Sequence, residues 1–486
     1  MNQAAKKHLA PKAAARSRKQ LVNDLVGEVI EGLRARLARR DELRLRIKAR
    51  QEKLYWTGLT KSIFRRPSSA RSARRDLLEF GDNPQRERTP PLRYSRTDST
   101  RSRDVNLPRA EVRPVFSHDI FAVQRVGGIS RYVCELHNAL CQAGTLSTVI
   151  APLHVCGLLA GAERVLGIHV PELLQIRGAD RITRAVDHLT EPAARALVAG
   201  HGRGVVVHPT YYSSVPPSRK YATAITVYDM IHERYPEMFS PGDKTSEQKR
   251  LWCERADAVI AISDYTKHQL VRLLDIDPGR VTVCHLGVTR VDPEPATRNR
   301  LATSRPFFLY VGNRGGHKNF DRLVRAFSRS RAALDGTGLI AFGGGKPTPT
   351  ELRWLDEHRV SHLVSFARGD DASLAAHYAT ARGLLYPSLD EGFGMPPLEA
   401  MLHGCPVAAA DAGAIPEVVA DAALLFDPTV VESMTAAIDR IASDRALGAS
   451  LASRGASRAP LFTWDRAART TLSAYAAALE IAEARS

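Results

Sequence analysis

The sequence predicts an α/β protein with two doubly wound parallel-sheet domains, preceded by a basic extension. Three observations predict it. From about residue 111 onward, short apolar runs alternate with segments of helical period, the pattern of a parallel sheet wound by helices. The alternation falls into two runs, 111–295 and 303–462, with a final helix in 463–486, and 486 residues are enough for two or three domains. The net charge of +17 is concentrated at one end: residues 1–110 hold 28 Lys and Arg against 12 Asp and Glu, so the remainder is close to neutral.

The extension divides in two. Leu21, Leu25, Val29, Leu33 and Leu37 recur at every fourth position, which predicts helix over about 20–56 with an Arg- and Lys-rich opposite face. Residues 60–110 are rich in Arg, Ser and Pro and poor in large apolar side chains, which predicts disorder. Three uses fit this composition: a solvated tail without a partner, a basic segment lying peripherally on an anionic membrane surface, or a nucleic-acid arm. The few aromatics of the extension form no regular interleaving with its charges, so nucleic acid is the least expected partner. No run of 18 apolar residues occurs and no apolar core follows the first lysines, so neither a transmembrane helix nor a secretory signal is expected. Six scattered cysteines without a CxxC pair predict buried free thiols in a reducing compartment, and the expected location is cytoplasmic.

In the first run, Val112 to Phe116 reads as a strand leading into the loop Gln124 to Tyr132 and a helix to about Ala143. Gly127 and Gly128 stand in that loop, where a missing Cβ lets backbone N–H groups approach a ligand phosphate; such a pair is also commonly a plain tight turn. Strands are predicted at Thr148 to Ala151, Gly204 to His208 and Ala222 to Tyr228. Strand ends carry ligand groups in open α/β sheets, which makes Asp229 and His232 candidate cleft residues. Taken alone, His232 reads rather as a cap or packing histidine. Ala258 to Ile262 is a further strand, Ser263 an N-cap for the next helix, and Val281 to His285 the last strand of the run. Asp275 and Asp277 form a DxD, but before Pro278 and Gly279 it reads as a surface turn and not as a metal site.

In the second run, the apolar strand Phe307 to Val311 leads into Gly312 to Asn319 and a helix to Ser328. Arg314 and Lys318 flank a glycine pair there, between a strand and a helix N-terminus, which suits a diphosphate. The loop is neither a GxGxxG nor a Walker motif, so nicotinamide and ATP are not expected. Strands at Gly338 to Phe342, Leu363 to Phe366, Gly383 to Tyr386, Pro406 to Ala410 and Ala422 to Phe426 complete a second sheet. Between the third and fourth of these lie Glu391 and Glu399, with seven residues between them. Gly392, Phe393 and Gly394 follow the first, and Pro396 and Pro397 open a helix that places Glu399 in its first turn. Two carboxylates so placed can face one ligand and accept from sugar or ribose hydroxyls. The structural alternative is a solvated loop residue and an ordinary first-turn glutamate.

Taken together, the segments GGISRY, YDMIHE, VGNRGGHKNFDRLVRAF, PSLDEGFGMPPLEAM and AIPEVVADAALLFDP resemble those of the retaining nucleotide-sugar glycosyltransferases of family 4, over about 112–482. The resemblance implies the GT-B architecture, two facing Rossmann-like domains with the acceptor on the first and the donor on the second. It implies that Arg314 and Lys318 bind the donor diphosphate, Glu391 and the backbone of Phe393, Gly394 and Met395 the sugar, and Glu399 the ribose. Gly127 and Gly128 would approach the phosphate, and Asp229 and His232 would line the cleft. No metal and no cofactor are implied beyond the donor, for which GDP-mannose is the first expectation. The acceptor would be a growing cell-surface polysaccharide or a lipid-linked glycan. Two other functions fit the same plan: a sugar-nucleotide epimerase and a non-catalytic sugar-nucleotide-binding protein.

Overall fold

The structure is a computed structural model that describes residues 112–170, 204–213, 220–302 and 305–485. The helix expected at 20–56, the disorder expected at 60–110 and every role weighed for the extension lie outside the described residues.

Seven strands form the first sheet: β1 (Arg113–Phe116), β2 (Thr148–His154), β3 (Val165–His169), β4 (Val205–His208), β5 (Ala222–Val227), β6 (Ala258–Ala261) and β7 (Val281–Val283). All neighbours run parallel, in the order β3-β2-β1-β4-β5-β6-β7. The second sheet holds β8 (Phe307–Val311), β9 (Gly338–Phe342), β10 (Val364–Ala367), β11 (Gly383–Tyr386), β12 (Val407–Ala410) and β13 (Leu424–Phe426), again all parallel, in the order β10-β9-β8-β11-β12-β13. Helices on both faces bury the central strands from end to end: every residue of β5, β6, β11 and β12 is buried. That is why these strands read as unbroken apolar runs rather than as alternations.

Each sheet reverses its strand order once, at β1/β4 in the first and β8/β11 in the second. Open α/β sheets bind ligands at that switch point, outside the carboxyl ends of the strands. The loop Ser117–Gly127 follows β1, Gly312–Asn319 follows β8, and Pro387–Gly394 follows β11, so the topology puts all three at switch points.

The last helix, Trp464–Arg485, packs on β4, β5, β6 and the helix Gly128–Gln142. It turns Ala467, Ala468, Thr471, Ala474, Tyr475 and Ala478 inward. The Tyr475 hydroxyl meets His208 Nδ1 at 2.6 Å, and the Cys284 thiol donates to the Ala467 carbonyl at 3.4 Å. Beside this helix's start, a Cβ on Gly287 would lie 2.3 Å from the Trp464 amide nitrogen. Both chain segments that join the sheets therefore pass each other in contact at Gly287, where only a glycine fits.

Several elements depart from the sequence reading. The edge strand β3 and the helix Thr245–Arg255 have no counterpart in it. Neither carries a strong period: β3 is mostly part-exposed, and the helix buries only Lys249, Trp252 and Cys253. Glu399 stands in the second turn of the helix Met395–Leu402, not the first, because Met395 already belongs to that helix. All six cysteines are free, and all but Cys141 are buried. Asp275 closes a helix in the left-handed region and Asp277 caps the following 3-10 turn, so the DxD is a turn. Among the described residues no helix is long and apolar enough to cross a membrane.

Candidate active site

Three loops meet where the two sheets face each other: the turn after β5, the loop after β8 and the loop after β11. A Cβ on Gly392 would fall 1.7 Å from the Tyr228 carbonyl oxygen, so the β11 loop presses directly on the end of the first sheet. Thr266 Oγ1 donates to the Gly392 carbonyl at 3.2 Å, and the Arg234 guanidinium pairs with Asp390. Burial pushes the Asp390 carboxyl up to about 6, and Arg234 opposes that push. The Leu389 amide donates to the His317 carbonyl at 2.7 Å, which ties the β8 and β11 loops together.

Lys318 and Glu391 form the centre of this junction. Lys318 Nζ lies 2.6 Å from Glu391 Oε1, with the side chains 22% and 12% exposed. Burial alone would raise the Glu391 carboxyl, but Lys318, His317 and Ser388 outweigh it and hold the group below the ordinary carboxylate range. The loop that carries it is rigid: the Ala414 amide donates to the Glu391 carbonyl at 2.9 Å, and a Cβ on Gly413 would come within 2.6 Å of the Glu391 nitrogen. Lys318 is fixed by its neighbour Asn319, whose Nδ2 donates to the Pro387 and Pro428 carbonyls at 2.9 and 2.8 Å.

Arg314 is buried beneath the loop that follows β9, with its side chain 2% exposed. Nε donates to Glu351 Oε1 at 2.8 Å, Nη1 to the Gly343 carbonyl at 2.6 Å, and Nη2 to the Gly344 and Lys346 carbonyls at 3.0 and 3.2 Å. A guanidinium matches this ring of acceptors, because its donors fan out in one plane. Gly343, Gly344 and Gly345 all have positive φ, and a cation at the centre holds that otherwise floppy turn in one shape.

Glu399 lies farther along the second lobe. Its Oε2 accepts from the Tyr378 hydroxyl at 3.0 Å. Burial raises its carboxyl above the usual range, with Arg131 and Tyr378 opposing. Arg131 reaches across from the helix Gly128–Gln142 and donates to Asp371 Oδ1 at 2.5 Å. Gly127 is the N-cap of that helix, and a Cβ on Gly128 would meet nothing within 4 Å. Gly128 therefore borders open space, on the Arg131 side of the cleft, whereas a Cβ on Gly127 would fall 2.2 Å from the Gln124 side chain.

His232 and Asp229 stand in the turn after β5, and His317 faces them from the second lobe. Asp229 Oδ1 accepts from the Ile231 amide at 3.0 Å, so part of its role is to shape its own turn. The His232 ring stacks on Phe239 with centroids 3.8 Å apart, its Nε2 lies 3.9 Å from Asp243 Oδ2, and its Nδ1 is buried without a hydrogen-bond partner. Of the residues after Glu391, Phe393 packs its ring against His285 and Phe462, which leaves its backbone for a ligand. Gly394, at φ 120°, caps the helix that Met395 begins.

Two features escaped the sequence reading. Lys249 is buried against Glu233 and the Asp229 carbonyl, and a lysine in a mostly polar helix gives no signal of that. The carboxylate of Glu417 joins the lobes, accepting from the amides of Asp264 and Tyr265 at 2.9 and 3.0 Å and pairing with His285 Nε2 at 2.6 Å. Asp264, His285 and Glu417 bring ligand-type atoms within 4.8 Å of one another. Both Glu417 oxygens already accept from the start of the helix Asp264–Leu274, so Glu417 works as an interlobe cap.

Comparison with known proteins agrees with this geometry. The family model described as Glycosyltransferase Family 4 matches residues 126–290, and that described as Glycosyl transferases group 1 matches residues 293–458, about two thirds of the chain together. The chain is similar to the O-antigen chain mannosyltransferase B of Escherichia coli, 26% identical over 301 residues, or 59% of this chain and 78% of the relative. In fold it is similar to sucrose-phosphate synthase from Thermosynechococcus elongatus, with TM-score 0.57 and 22% identity over 77% of this chain and 98% of that one. It is similar in fold also to Anabaena HepE, solved in complex with UDP-glucose, with TM-score 0.56 and 16% identity over 74% of this chain and 99% of that one. Two tandem family matches, on two sheets whose switch-point loops meet at Lys318 and Glu391, make the chain a glycosyltransferase with the GT-B fold of group 1 and Family 4.

Proposed function

We propose that the chain moves a hexosyl group from a nucleoside diphosphate sugar to an acceptor hydroxyl with retention of anomeric configuration. The observation that carries this reading is the Lys318–Glu391 pair at the switch point of the second sheet, faced by His232 and Asp229 from the first. A sugar seated there would meet the Glu391 carboxylate and the backbone of Phe393, Gly394 and Met395. Lys318 and the N-terminus of the helix Met395–Leu402 would take the diphosphate, and Gly127 and Gly128 would admit it closely from the other side. Glu399 would accept from the ribose through the oxygen that Tyr378 does not use.

Charge builds on the diphosphate oxygens as the sugar bond breaks. A fixed ammonium there helps most in the transition state, which is where help raises the rate. The leaving phosphate can itself take the acceptor's proton, so the reaction needs no separate base. Arg314 serves it indirectly, by shaping the loop after β9. The similarity to a mannosyltransferase supports a mannosyl donor with GDP as first choice, and HepE, crystallised with UDP-glucose, makes the uridine nucleotide the second. The acceptor would be a polysaccharide or lipid-linked glycan, and the basic extension would suit a peripheral place on a cytoplasmic membrane face.

A thermal-shift screen against nucleoside diphosphate sugars tests the reading, because a donor that binds only the folded state raises Tm. Incubation of the stabilising donor alone separates transfer from epimerisation: an epimerase converts it without an acceptor. A panel that moves Tm with no member, together with no transfer from any, would sink the proposal.

A further inference from the structure

Lys249 has no part in the proposed transfer as described so far, yet its side chain is only 1% exposed. A lysine is almost never buried so completely unless it is paired. Its Nζ lies 2.7 Å from Glu233 Oε2, 2.8 Å from the Asp229 carbonyl oxygen and 4.0 Å from Asp229 Oδ1, with the Tyr212 ring centre 5.6 Å away. Two hydrogen bonds from one ammonium thus hold both ends of one short turn, and His232 stands inside it. The rest of the turn is incompletely satisfied: His232 Nδ1 and Glu233 Oε1 are buried without partners.

The groups that face the His232 imidazole come from four places. They are Lys249 on the helix Thr245–Arg255, Asp229 and Glu233 in its own turn, Asp243 ahead of that helix, and His317 from the β8 loop. Burial first and Lys249 second disfavour the imidazolium, and together they outweigh the three carboxylates. Lys249 is therefore coupled to His232 by charge as well as by backbone geometry.

We propose that Lys249 is a positioning residue for glycosyl transfer: by gripping the Asp229 carbonyl and the Glu233 carboxylate it fixes the turn that presents His232 and Asp229 to the reacting sugar. The inference rests on the transferase reading above. It places a buried cation of the first lobe behind the acceptor side of the cleft, away from the donor residues of the second.

The test uses the full chain. Lys249→Met with Glu233→Gln removes the ion pair at nearly constant volume and leaves neither charge stranded, and Lys249→Arg keeps the charge in altered geometry. The donor KM of the double variant should stay within about twofold while kcat falls about tenfold or more, the loss expected of a misplaced reacting group. Its His232 titration, followed by NMR and assigned with His232→Asn, should move to higher pH, and the pH–rate profile with it. Lys249→Arg should keep the His232 titration near that of the wild type and lose kcat by a smaller factor. A folded double variant with wild-type kcat, or with an unmoved His232 titration, would overturn the proposal. If the wild type binds no nucleoside diphosphate sugar, the transferase reading falls separately, and the titration still decides whether Lys249 governs His232.

Discussion

Arg314 and Glu351 form a buried ion pair, Nε to Oε1 at 2.8 Å, beneath the triple-glycine loop after β9. The pair also closes a helix start, since Glu351 Oε2 accepts from the Thr348 amide at 2.6 Å in a capping box. Removing one partner leaves the other charge buried alone, at a cost of about 3–5 kcal/mol. Arg314→Ala and Glu351→Ala should therefore both lower the denaturant midpoint, and the loss of transfer in Arg314→Ala should track loss of folded protein. Burial alone would raise the Glu351 carboxyl, but Arg314 and the Thr348 amide hold it below its ordinary value. The contribution is then complete above the unfolded carboxylate pKa and is lost as pH falls through the lower folded value. Acid melts of Arg314→Ala should show a smaller such loss; an unchanged acid limb would refute the coupling.

Lys318→Ala and Glu391→Gln address the reaction rather than the fold. Each removes one half of a pair that is only partly buried, so Tm should change little compared with the Arg314 variants. If the ammonium stabilises the leaving diphosphate, kcat should fall by about 10²–10³, the usual loss for one charge-stabilising donor. Donor titration by calorimetry should show a much smaller loss of affinity. Equal losses of affinity and kcat would instead mean that the pair only binds the ground state.

The contrast between these two cations explains how far the sequence could be read. The β8 loop, its glycine pair and the two glutamates were legible because strand-to-helix junctions announce themselves through apolar runs, glycines and prolines. Which of Arg314 and Lys318 is buried more deeply was not legible. That depends on Glu351, which lies 37 residues later and reads as an unremarkable helix start. Lys249 was invisible for the same reason: its partners Asp229 and Glu233 lie on the other side of a polar loop, and burial of a charge leaves no periodic trace. The helix Thr245–Arg255 escaped because an amphipathic stripe with a lysine in it does not look amphipathic.

Two glycines should respond in opposite ways to the same substitution. Gly392→Ala would put a Cβ 1.7 Å from the Tyr228 carbonyl oxygen, and backbone on both sides leaves no flexible atom to yield. It should destabilise the junction of the lobes and lower Tm clearly. Gly128→Ala meets nothing within 4 Å and should leave Tm unchanged or slightly raised, since alanine favours the helix over glycine by up to about 1 kcal/mol. If donor phosphate approaches Gly128, the same variant should raise the donor KM. A stable Gly128→Ala with unchanged KM would remove Gly128 from the site.

Glu399 offers a test of the ribose contact through pH. Burial holds its carboxyl above the ordinary range, with Arg131 and Tyr378 only partly countering. A raised folded value means that the group favours folding at low pH and withdraws that contribution as pH rises through it. Binding should behave in the reverse sense. The carboxylate, not the acid, accepts from two ribose hydroxyls, so donor KM should rise as pH falls into the window just above the ordinary glutamate range. Glu399→Gln should raise KM about tenfold at neutral pH, the worth of a hydrogen bond to a charged acceptor, and abolish that acid limb. The variant keeps an oxygen for the Tyr378 hydroxyl, so its Tm should stay close to that of the wild type. Donor KM measured from pH 5 to 8 in both proteins decides the matter, and a wild-type KM flat across that range would exclude Glu399 from contact with the donor.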